Sequence, residues 1–353
     1  MGKRVTIKDV ARETGVSRQT VSRVINAQPG VAEDTRARVA AAIKQLGYQP
    51  NPAARSLTQH RTNTIGLIIP YSPDYLFSDP HLMEFMCGVD ELAIQRNHNL
   101  LLSTAQKKNP AGKLSAQKES FSAFERLALS GYADGVVVVE TLASRAGTVL
   151  LRERGISWVT LGYGTENESS QVVHADDRGG ARQATMHLLS LGHTRIGVIS
   201  GRKQSLMAVE ERLTGYRQAL SDLNLTMDAE LLVAGDWSPE SGTQAAAHLM
   251  QLDVPPTAIF AFNDRMACGA LQYLQANGWR VPQDISLVGF DDIPIAQMLH
   301  PQLTTVKQPA LEMGRQAARL LFDLIENNTL LSTPVILPTE LIVRGSTGKC
   351  RGS

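Results

Sequence analysis

Apolar positions follow two different periods along this chain of 353 residues. In the first fifty residues they recur every three or four positions, which predicts three short helices over about 7–13, 18–26 and 32–46. From residue 64 onward, short apolar runs alternate with helical spans, as in parallel β-sheets. The pattern therefore predicts a small all-α head followed by a larger α/β body.

The first two predicted helices carry signals for where each one begins and ends. Thr6 and Asp9 match a capping box at the start of the first helix. Gly15 marks its end, because glycine tolerates the left-handed backbone of a turn. Ser17 is a suitable N-cap for the second helix. Two short helices joined in this way form a helix-turn-helix, whose second helix lies in the major groove of DNA.

The body contains two blocks of alternating strands and helices. The first block holds the runs "TIGLIIP", "LLLSTA", "GVVVVE" and "WVTLG", and the second holds "RIGVIS", "LLVAG", "AIFAFN" and "ISLVGF". Two such blocks predict two lobes, each a doubly wound parallel sheet, with ligands favoured at the carboxyl ends of the strands.

The motifs of cofactor, metal and catalytic sites are missing from the sequence. It has neither a GxxxxGK[ST] nor a GxGxxG phosphate loop. The three cysteines, Cys87, Cys268 and Cys350, lack the spacing of a metal or redox site and fit a reducing compartment. No nucleophile, base and orienting residue stand in a recognisable pattern. We therefore expect no cofactor, no metal and no enzyme activity.

Charge is distributed unevenly between the two parts. Residues 1–62 carry eleven Lys or Arg and four acidic residues, a net charge of +7, whereas the remainder carries −6. A basic head on an acidic body is typical of a protein whose head alone binds a polyanion. A basic terminus that is merely soluble would give the same excess, but without the helix-turn-helix signals that accompany it here.

The exposed face of the second predicted helix has the chemistry to read DNA. An arginine can bond to guanine O6 and N7 together, and a glutamine can bond to adenine N6 and N7. We expect Arg18 and Gln19, at the start of the helix, to contact base edges, while nearby hydroxyl and amide groups hold phosphates. The predicted DNA contacts in this segment are Ser17, Arg18, Gln19, Thr20, Ser22, Arg23 and Asn26.

Residues 50–63 form a predicted hinge helix and linker. Pro50 and Pro52 punctuate the segment, and "PAARSLTQH" could form one or two helical turns. So short a helix is marginal in isolation and should order only against a partner. Leu57 is the unusual residue, since it stands on a basic and otherwise polar segment. It either packs on its own module or inserts as a wedge into the minor groove.

These N-terminal segments resemble the lactose/galactose-repressor family of bacterial transcription factors. "VTIKDVARETGVSRQTVSRVIN" resembles the family's DNA-binding signature, and "NPAARSL" resembles its hinge helix. The resemblance implies that Leu57 is levered into the centre of the operator, with Ala54 beside it in the minor groove. Ala32 departs from the serine that commonly caps the third helix in the family, so a weakened cap is expected there.

The family resemblance continues through the body. "ERLTGYRQAL", "GDWSPESG", "AIFAFNDRMACGAL", "DISLVGFDD", "LTTVKQP" and "LIVRGST" resemble its effector-binding half, which is similar to periplasmic sugar-binding proteins. This implies that Arg212, Asn263 and Asp291 contact an effector and that Trp237 lines the pocket. Such groups suit a sugar, because fixed donors and acceptors pair with hydroxyls while an aromatic face covers the C–H side of the ring. Asp291 could instead cap a helix, and Trp237 could belong to the core.

The first lobe gives a weaker prediction of pocket residues. "PYSPDYLFSDPHLMEFM" offers Tyr71, Phe77 and His81 as further effector contacts. The family often has aromatic residues where His81 and Leu82 stand, which leaves the ligand class open. We favour a sugar or sugar derivative, and a purine-like or other planar ligand is the alternative.

The predicted organisation combines these parts. The predicted domains are 1–49 for the helix-turn-helix, 50–63 for the hinge, 64–345 for a two-lobed effector-binding and dimerisation body, and 346–353 for a tail. Within the body we expect a first lobe of about 64–163 and 309–333, and a second of about 164–308 and 334–345.

The predicted function is that of a sequence-specific repressor that an effector releases from its operator. We expect a homodimer on near-palindromic double-stranded operator DNA, because two identical modules read two half-sites by symmetry. We also expect a cytoplasmic protein, since the sequence shows no signal peptide and no apolar run of membrane-spanning length. The alternatives are an activator, a regulator that depends on a corepressor, and one that responds to a partner protein.

Overall fold

The chain forms two compact units, Met1–Asn63 and Thr64–Ser353. The computed structural model describes residues 5–26, 28–49, 61–105, 116–140, 144–164, 171–201, 207–327 and 333–351. Within these ranges, no helix combines the length and the apolar character needed to cross a membrane. The division between the units lies where the hydrophobic pattern of the sequence changes.

The first unit is a bundle of three short helices, which confirms the predicted helix-turn-helix. Its helices are α1 (Ile7–Thr14), α2 (Arg18–Ile25) and α3 (Glu33–Leu46). Ala32 precedes α3 and provides no side-chain cap. The helices enclose a small core made of Val10, Ala11, Val21, Val39 and Ala42.

The caps that position α1 and α2 are those that the sequence predicts. The Asp9 carboxylate accepts a hydrogen bond from the backbone N–H of Thr6 at 2.9 Å. Gly15 has φ 66° at the turn between the helices. The Ser17 hydroxyl oxygen then accepts from the backbone N–H of Thr20 at 3.0 Å and starts α2. These local bonds fix the angle at which α2 leaves the turn.

The second unit contains two sheets of six strands each, in the parts of the chain that the structure describes. The first sheet has the order β11-β5-β4-β3-β1-β2 and consists of β1 (Thr64–Ile69), β2 (Asn99–Thr104), β3 (Gly135–Val139), β4 (Ser157–Leu161), β5 (Val172–Ala175) and β11 (Val335–Leu337). The second has the order β12-β10-β9-β8-β6-β7 and consists of β6 (Ile196–Ser200), β7 (Leu232–Ala234), β8 (Ala258–Ala261), β9 (Ser286–Asp291), β10 (Thr304–Lys307) and β12 (Glu340–Ile342). Only the β10–β12 pair is antiparallel among these. The eight strands predicted from apolar runs are all present.

Helices pack on both sheets to form two lobes. The first lobe holds α4 (Pro73–Ser78), α5 (Pro80–Gln95), α6 (Ala116–Ser130), α7 (Ser144–Glu153) and α13 (Ala310–Asn327). The second holds α8 (Asp177–Ser190), α9 (Met207–Ser221), α10 (Pro239–Met250), α11 (Asp264–Ala276) and α12 (Ile295–Met298), with a 3₁₀ turn at Ala229–Leu231. Strands such as β3 are buried along their whole length, as expected for a parallel sheet covered on both faces.

The boundaries between the lobes differ from the predicted ones. Strands β5 and β11 belong to the first sheet, where they pair in parallel with each other. The first lobe therefore extends to Ala175 and to Leu337, not to 163 and 333. These strands have only four and three residues, and β5 is interrupted by His174, so neither gives an apolar run long enough to recognise.

The described part of the predicted tail at 346–353 packs on the second lobe. Ser346 is fully buried, and its hydroxyl oxygen accepts from the backbone N–H of Thr304 at 2.8 Å. The backbone N–H of Cys350 donates to the Leu191 carbonyl at 2.8 Å. Such bonds between distant segments leave no local pattern in the sequence.

Candidate functional site

The predicted DNA contacts that the structure describes lie on α2 and its two capping residues in the first unit. Arg18, Gln19 and Arg23 of α2 are exposed, whereas Val21 on the opposite side is completely buried. The hydroxyls of Ser17 and Thr20 bond to each other, and the Ser17 hydroxyl oxygen also accepts from the backbone N–H of Thr20. Asn26 Nδ2 donates to Ser22 Oγ at 3.4 Å. The structure thus leaves the two arginines and the glutamine accessible to DNA. Ala54 and Leu57 lie outside the described residues.

A cleft with a cavity volume of about 140 Å³ lies between the two lobes of the second unit. Six of the seven predicted effector residues line it, namely Tyr71, His81, Arg212, Trp237, Asn263 and Asp291. Phe77 does not line the cleft, and its side chain is 61% exposed. On the short helix α4 its neighbour Leu76 takes the buried side, and successive helical residues point about 100° apart.

Arg212 is held by a buried ion pair. It lies in the middle of α9, and its Nε donates to Asp177 Oδ1 at 2.7 Å, with both side chains at most 6% exposed. Its Nη1 donates to the Phe262 carbonyl. The guanidinium stacks 3.7 Å from the centre of the Phe290 ring, and 5.9 Å from that of Trp237. The arginine is therefore fixed in one orientation at the pocket wall.

Asn263 and Trp237 are fixed by each other. The Asn263 side chain caps α11, since its Oδ1 accepts from the backbone N–H of Met266 at 2.9 Å. Its Nδ2 donates to the Trp237 carbonyl at 3.1 Å. Trp237 adopts φ 74°, and a Cβ on Gly201 would lie 2.2 Å from its ring, so glycine is needed there. Trp237 both packs on the core of the second lobe and faces the cleft.

Asp291 lies at the end of β9 in a strained backbone, with φ 113°. Its Oδ1 accepts from Gln308 Nε2 at 2.7 Å, and the same nitrogen lies 3.3 Å from His81 Nε2 on the first lobe. Burial raises the pKa of Asp291, and burial together with the neighbouring Asp291 raises the pKa of Asp264. The cap of α12 is Pro294, so Asp291 does not act as a helix cap.

Sequence reasoning missed an acidic group on the first lobe. Glu140 follows β3, and its Oε2 accepts from the backbone N–H of Tyr163 at 2.6 Å. The Tyr163 ring stacks on His174 at 4.1 Å, and its hydroxyl donates to Asp177 at 2.9 Å. Glu140 and Tyr163 both stand just after parallel strands, where ligands are favoured, and "GVVVVE" and "WVTLGY" show this position in the sequence. The hydrogen bond between Tyr163 and Asp177 leaves no signal in the sequence.

Glu140 should make the stability of the protein depend on pH. Burial raises its pKa from about 4.5 to about 7. The folded state then keeps a proton that the unfolded state loses, so this group lowers the free energy of unfolding as pH rises from about 4.5 to 7, by about 3 kcal/mol in total. Glu140→Gln cannot ionise. In urea unfolding, we expect the free energy of unfolding of this variant to rise relative to that of the wild type between pH 5 and pH 8.

The control for this experiment is Glu153→Gln, because Glu153 is an exposed acid of the same lobe. Its free energy of unfolding should differ from that of the wild type by the same amount at every pH. If the difference for Glu140→Gln were also independent of pH, Glu140 would have an ordinary pKa in the folded protein.

Each of the two units matches the model of a known protein family. Residues 6–51 match the family model for bacterial regulatory proteins of the lacI family, and residues 185–347 match a periplasmic binding protein-like domain. The HTH-type transcriptional regulator CelR of Thermobifida fusca is 37% identical over 351 residues, covering 98% of each chain. The chain belongs to the LacI family. The HTH-type transcriptional repressor PurR of Vibrio campbellii is 33% identical over 98% of this chain and 99% of its own.

Solved structures of LacI-family proteins share the whole architecture. A Lac repressor dimer bound to operator and the anti-inducer ONPF matches with a TM-score of 0.83 at 27% identity, covering 98% of this chain and 100% of that one. A CelR–cellobiose complex matches with a TM-score of 0.72 at 35% identity, covering 97% and 100%. This LacI-family chain is therefore a DNA-binding transcriptional regulator with a periplasmic-binding-protein-like body.

Proposed function

We propose that this protein is a repressor whose affinity for operator DNA is controlled by a sugar bound between its lobes. The observation that carries the proposal is the convergence of Arg212, Asn263, Asp291 and Trp237 on one cleft. They come from four separate segments of the second lobe, and each is held by bonds that fix its position. Pre-organised polar groups beside an aromatic face suit the hydroxyls and C–H surface of a sugar ring.

The relatives support a sugar and leave room for a second candidate. The CelR structure contains cellobiose, whereas the PurR relatives leave the ligand open, and a purine-like ligand is the second candidate. A purine could stack on the pair formed by Tyr71 and Tyr75, whose ring centres lie 5.0 Å apart. We favour the sugar, because Glu140 and Asp291 offer carboxylates to a ligand rich in hydroxyl donors.

The test of the ligand class is a thermal-shift screen of the full-length protein. The panel contains neutral mono- and disaccharides including cellobiose, together with hypoxanthine and guanine. We expect a saccharide to raise the melting temperature by several degrees, because a ligand that binds only the folded state stabilises it. Stabilisation by a purine base, with no effect of any sugar, would contradict the proposal.

We further propose that two copies of the chain bind a near-palindromic operator. Arg18 and Gln19 of each copy would read one half-site, and the exposed basic residues of the first unit would hold the phosphates. The Lac repressor dimer bound to its operator supports this arrangement.

Contacts across the cleft provide a route by which effector could change the arrangement of the lobes. Arg265 of α11 reaches from the second lobe to the first, where Nη1 donates to Asp79 Oδ2 at 3.2 Å and Nη2 to Ser78 Oγ at 3.3 Å. Its guanidinium also lies 5.2 Å from the centre of the Tyr75 ring. Tyr75 and Asp79 line the pocket, so this contact joins the lobes at the pocket wall.

Arg265→Met should weaken effector binding, although it changes none of the pocket residues of the second lobe. Loss of the contact removes a bond that holds the lobes together, which lowers the population of the arrangement that encloses the ligand. We expect the effector Kd to rise about 5-fold or more, measured by calorimetry with the best saccharide of the screen. Arg280→Met is the control, because its partner Asp284 lies on the same exposed surface of the second lobe. Equal Kd values for both variants would contradict this role.

A further inference from the structure

The described wall of the pocket is rich in carboxylates. Asp79, Glu140, Asp177 and Asp291 line it, and the one arginine among its described residues is Arg212. The pocket therefore offers hydrogen-bond acceptors on four carboxyl side chains. It suits a ligand that donates, such as a polyol, and opposes a ligand that brings its own negative charge.

Two of these carboxylates are already neutralised by ion pairs. Asp177 binds Arg212 at 2.7 Å, and Asp79 binds Arg265 at 3.2 Å. Glu140 has no such partner among the described residues, where its carboxylate accepts only the backbone N–H of Tyr163.

The place of Glu140 is built into the ends of two strands. Its own backbone N–H donates to the Leu161 carbonyl at 2.9 Å, next to the carboxylate's bond with Tyr163. Gly162 lies against the side chain, and a Cβ there would be 2.4 Å from Glu140 Oε2. Glycine at 162 therefore leaves space for the carboxylate. These contacts come from the strand ends themselves, so the acid keeps its position independently of a ligand.

We infer that the pocket selects an uncharged, hydroxyl-rich ligand over its phosphorylated or carboxylated counterpart, and that Glu140 is the residue that determines this selectivity. An ionised carboxylate accepts bonds from ligand hydroxyls and repels a phosphate or carboxylate placed in the same space. Arg212 cannot offset this repulsion fully, because its Nε and Nη1 already bind Asp177 and Phe262. The inference rests on the proposed effector pocket and specifies which charge class of ligand it accepts.

Burial of Glu140 is consistent with this role. Its pKa is raised to about 7 by burial, so the group is largely ionised at pH 8. The titratable residues that act on its carboxyl group are Tyr163 and Asp177, and Asp177 is itself paired with Arg212. None of the facing groups that the structure describes is a lysine or arginine in direct contact with the carboxylate.

The test compares matched neutral and anionic ligands by calorimetry on the full-length protein at pH 8. The pairs are cellobiose with cellobionate, glucose with glucose 6-phosphate, and hypoxanthine with inosine monophosphate. For every pair in which binding is measurable, we expect the wild type to bind the neutral member about 10-fold or more tightly than the anionic one. Glu140→Gln keeps an acceptor for the Tyr163 N–H and should reduce that ratio about 5-fold or more. Glu153→Gln, an exposed acid of the same lobe, should keep the wild-type ratio.

The outcomes separate this inference from the proposed function. Tighter binding of the anionic member by the wild type would overturn the inference, as would a Glu140→Gln ratio equal to that of Glu153→Gln. If only the purine pair binds, the sugar proposal fails, and the ratio between hypoxanthine and inosine monophosphate still decides the charge rule.

Discussion

Arg212→Met is expected to abolish the response to effector and to lower the free energy of unfolding by about 3–5 kcal/mol. The second effect follows from the ion pair, because the substitution leaves the Asp177 carboxylate buried without its cation. The first follows from the position of the guanidinium, which lies between Phe290 and the pocket. Urea unfolding measures the stability, and calorimetry with the best saccharide of the screen measures binding.

A double variant separates the two effects of this substitution. Arg212→Met with Asp177→Asn removes the uncompensated charge and should recover part of the lost stability, since the penalty belongs to the orphaned carboxylate. It should still fail to bind effector. Arg178→Met is the surface control, because its pair with Glu211 is half-exposed and should contribute about 1 kcal/mol or less. Normal effector binding by the double variant would mean that Arg212 is not part of the ligand site.

Arg18→Ala combined with Gln19→Ala is expected to cost about 2–6 kcal/mol of specific DNA affinity, at about 1–3 kcal/mol for each bidentate base contact. Both side chains are exposed on α2, and neither contributes to the core around Val21. The fold of the first unit should therefore survive. Selection from random double-stranded DNA should return a near-palindrome for the wild type and a degenerate sequence for the variant.

The matched control is Arg38→Ala, which removes one positive charge from the exposed surface of α3. It should return the wild-type sequence with affinity lowered about equally for all DNA, as expected for loss of a non-specific electrostatic contribution. If the double variant selected the same site as the wild type, the base contacts would have to come from other residues.

Local signals predict most of the fold. The capping residues Thr6 and Ser17 and the turn at Gly15 act on neighbours a few residues away, so the sequence shows them directly. Long buried strands such as β3 are also recognisable by their apolar runs. The short strands β5 and β11 are not, because their place in the first sheet depends on pairing between segments about 160 residues apart.

The residues of the candidate site can be predicted from the sequence, but most of their contacts cannot. Segments that resemble a known family predict Arg212, Asn263 and Asp291 as effector contacts. The contacts that hold these residues are not predicted in this way, because Asp177 and Gln308 reach their partners through the tertiary fold. Phe77 failed as a prediction because the sequence alone did not show which side of its short helix faces the cleft.

The most direct test of the central claim is a titration of operator binding with effector. The DNA is the site selected by the wild type, and the ligand is the saccharide that gives the largest thermal shift. Fluorescence anisotropy at fixed salt measures the operator Kd with and without saturating saccharide. We predict that the saccharide raises this Kd about 5- to 150-fold, as a coupling of about 1–3 kcal/mol requires, and that Arg212→Met does not respond. An operator Kd that saccharides leave unchanged or lower, or that responds to a purine base instead, would contradict the account.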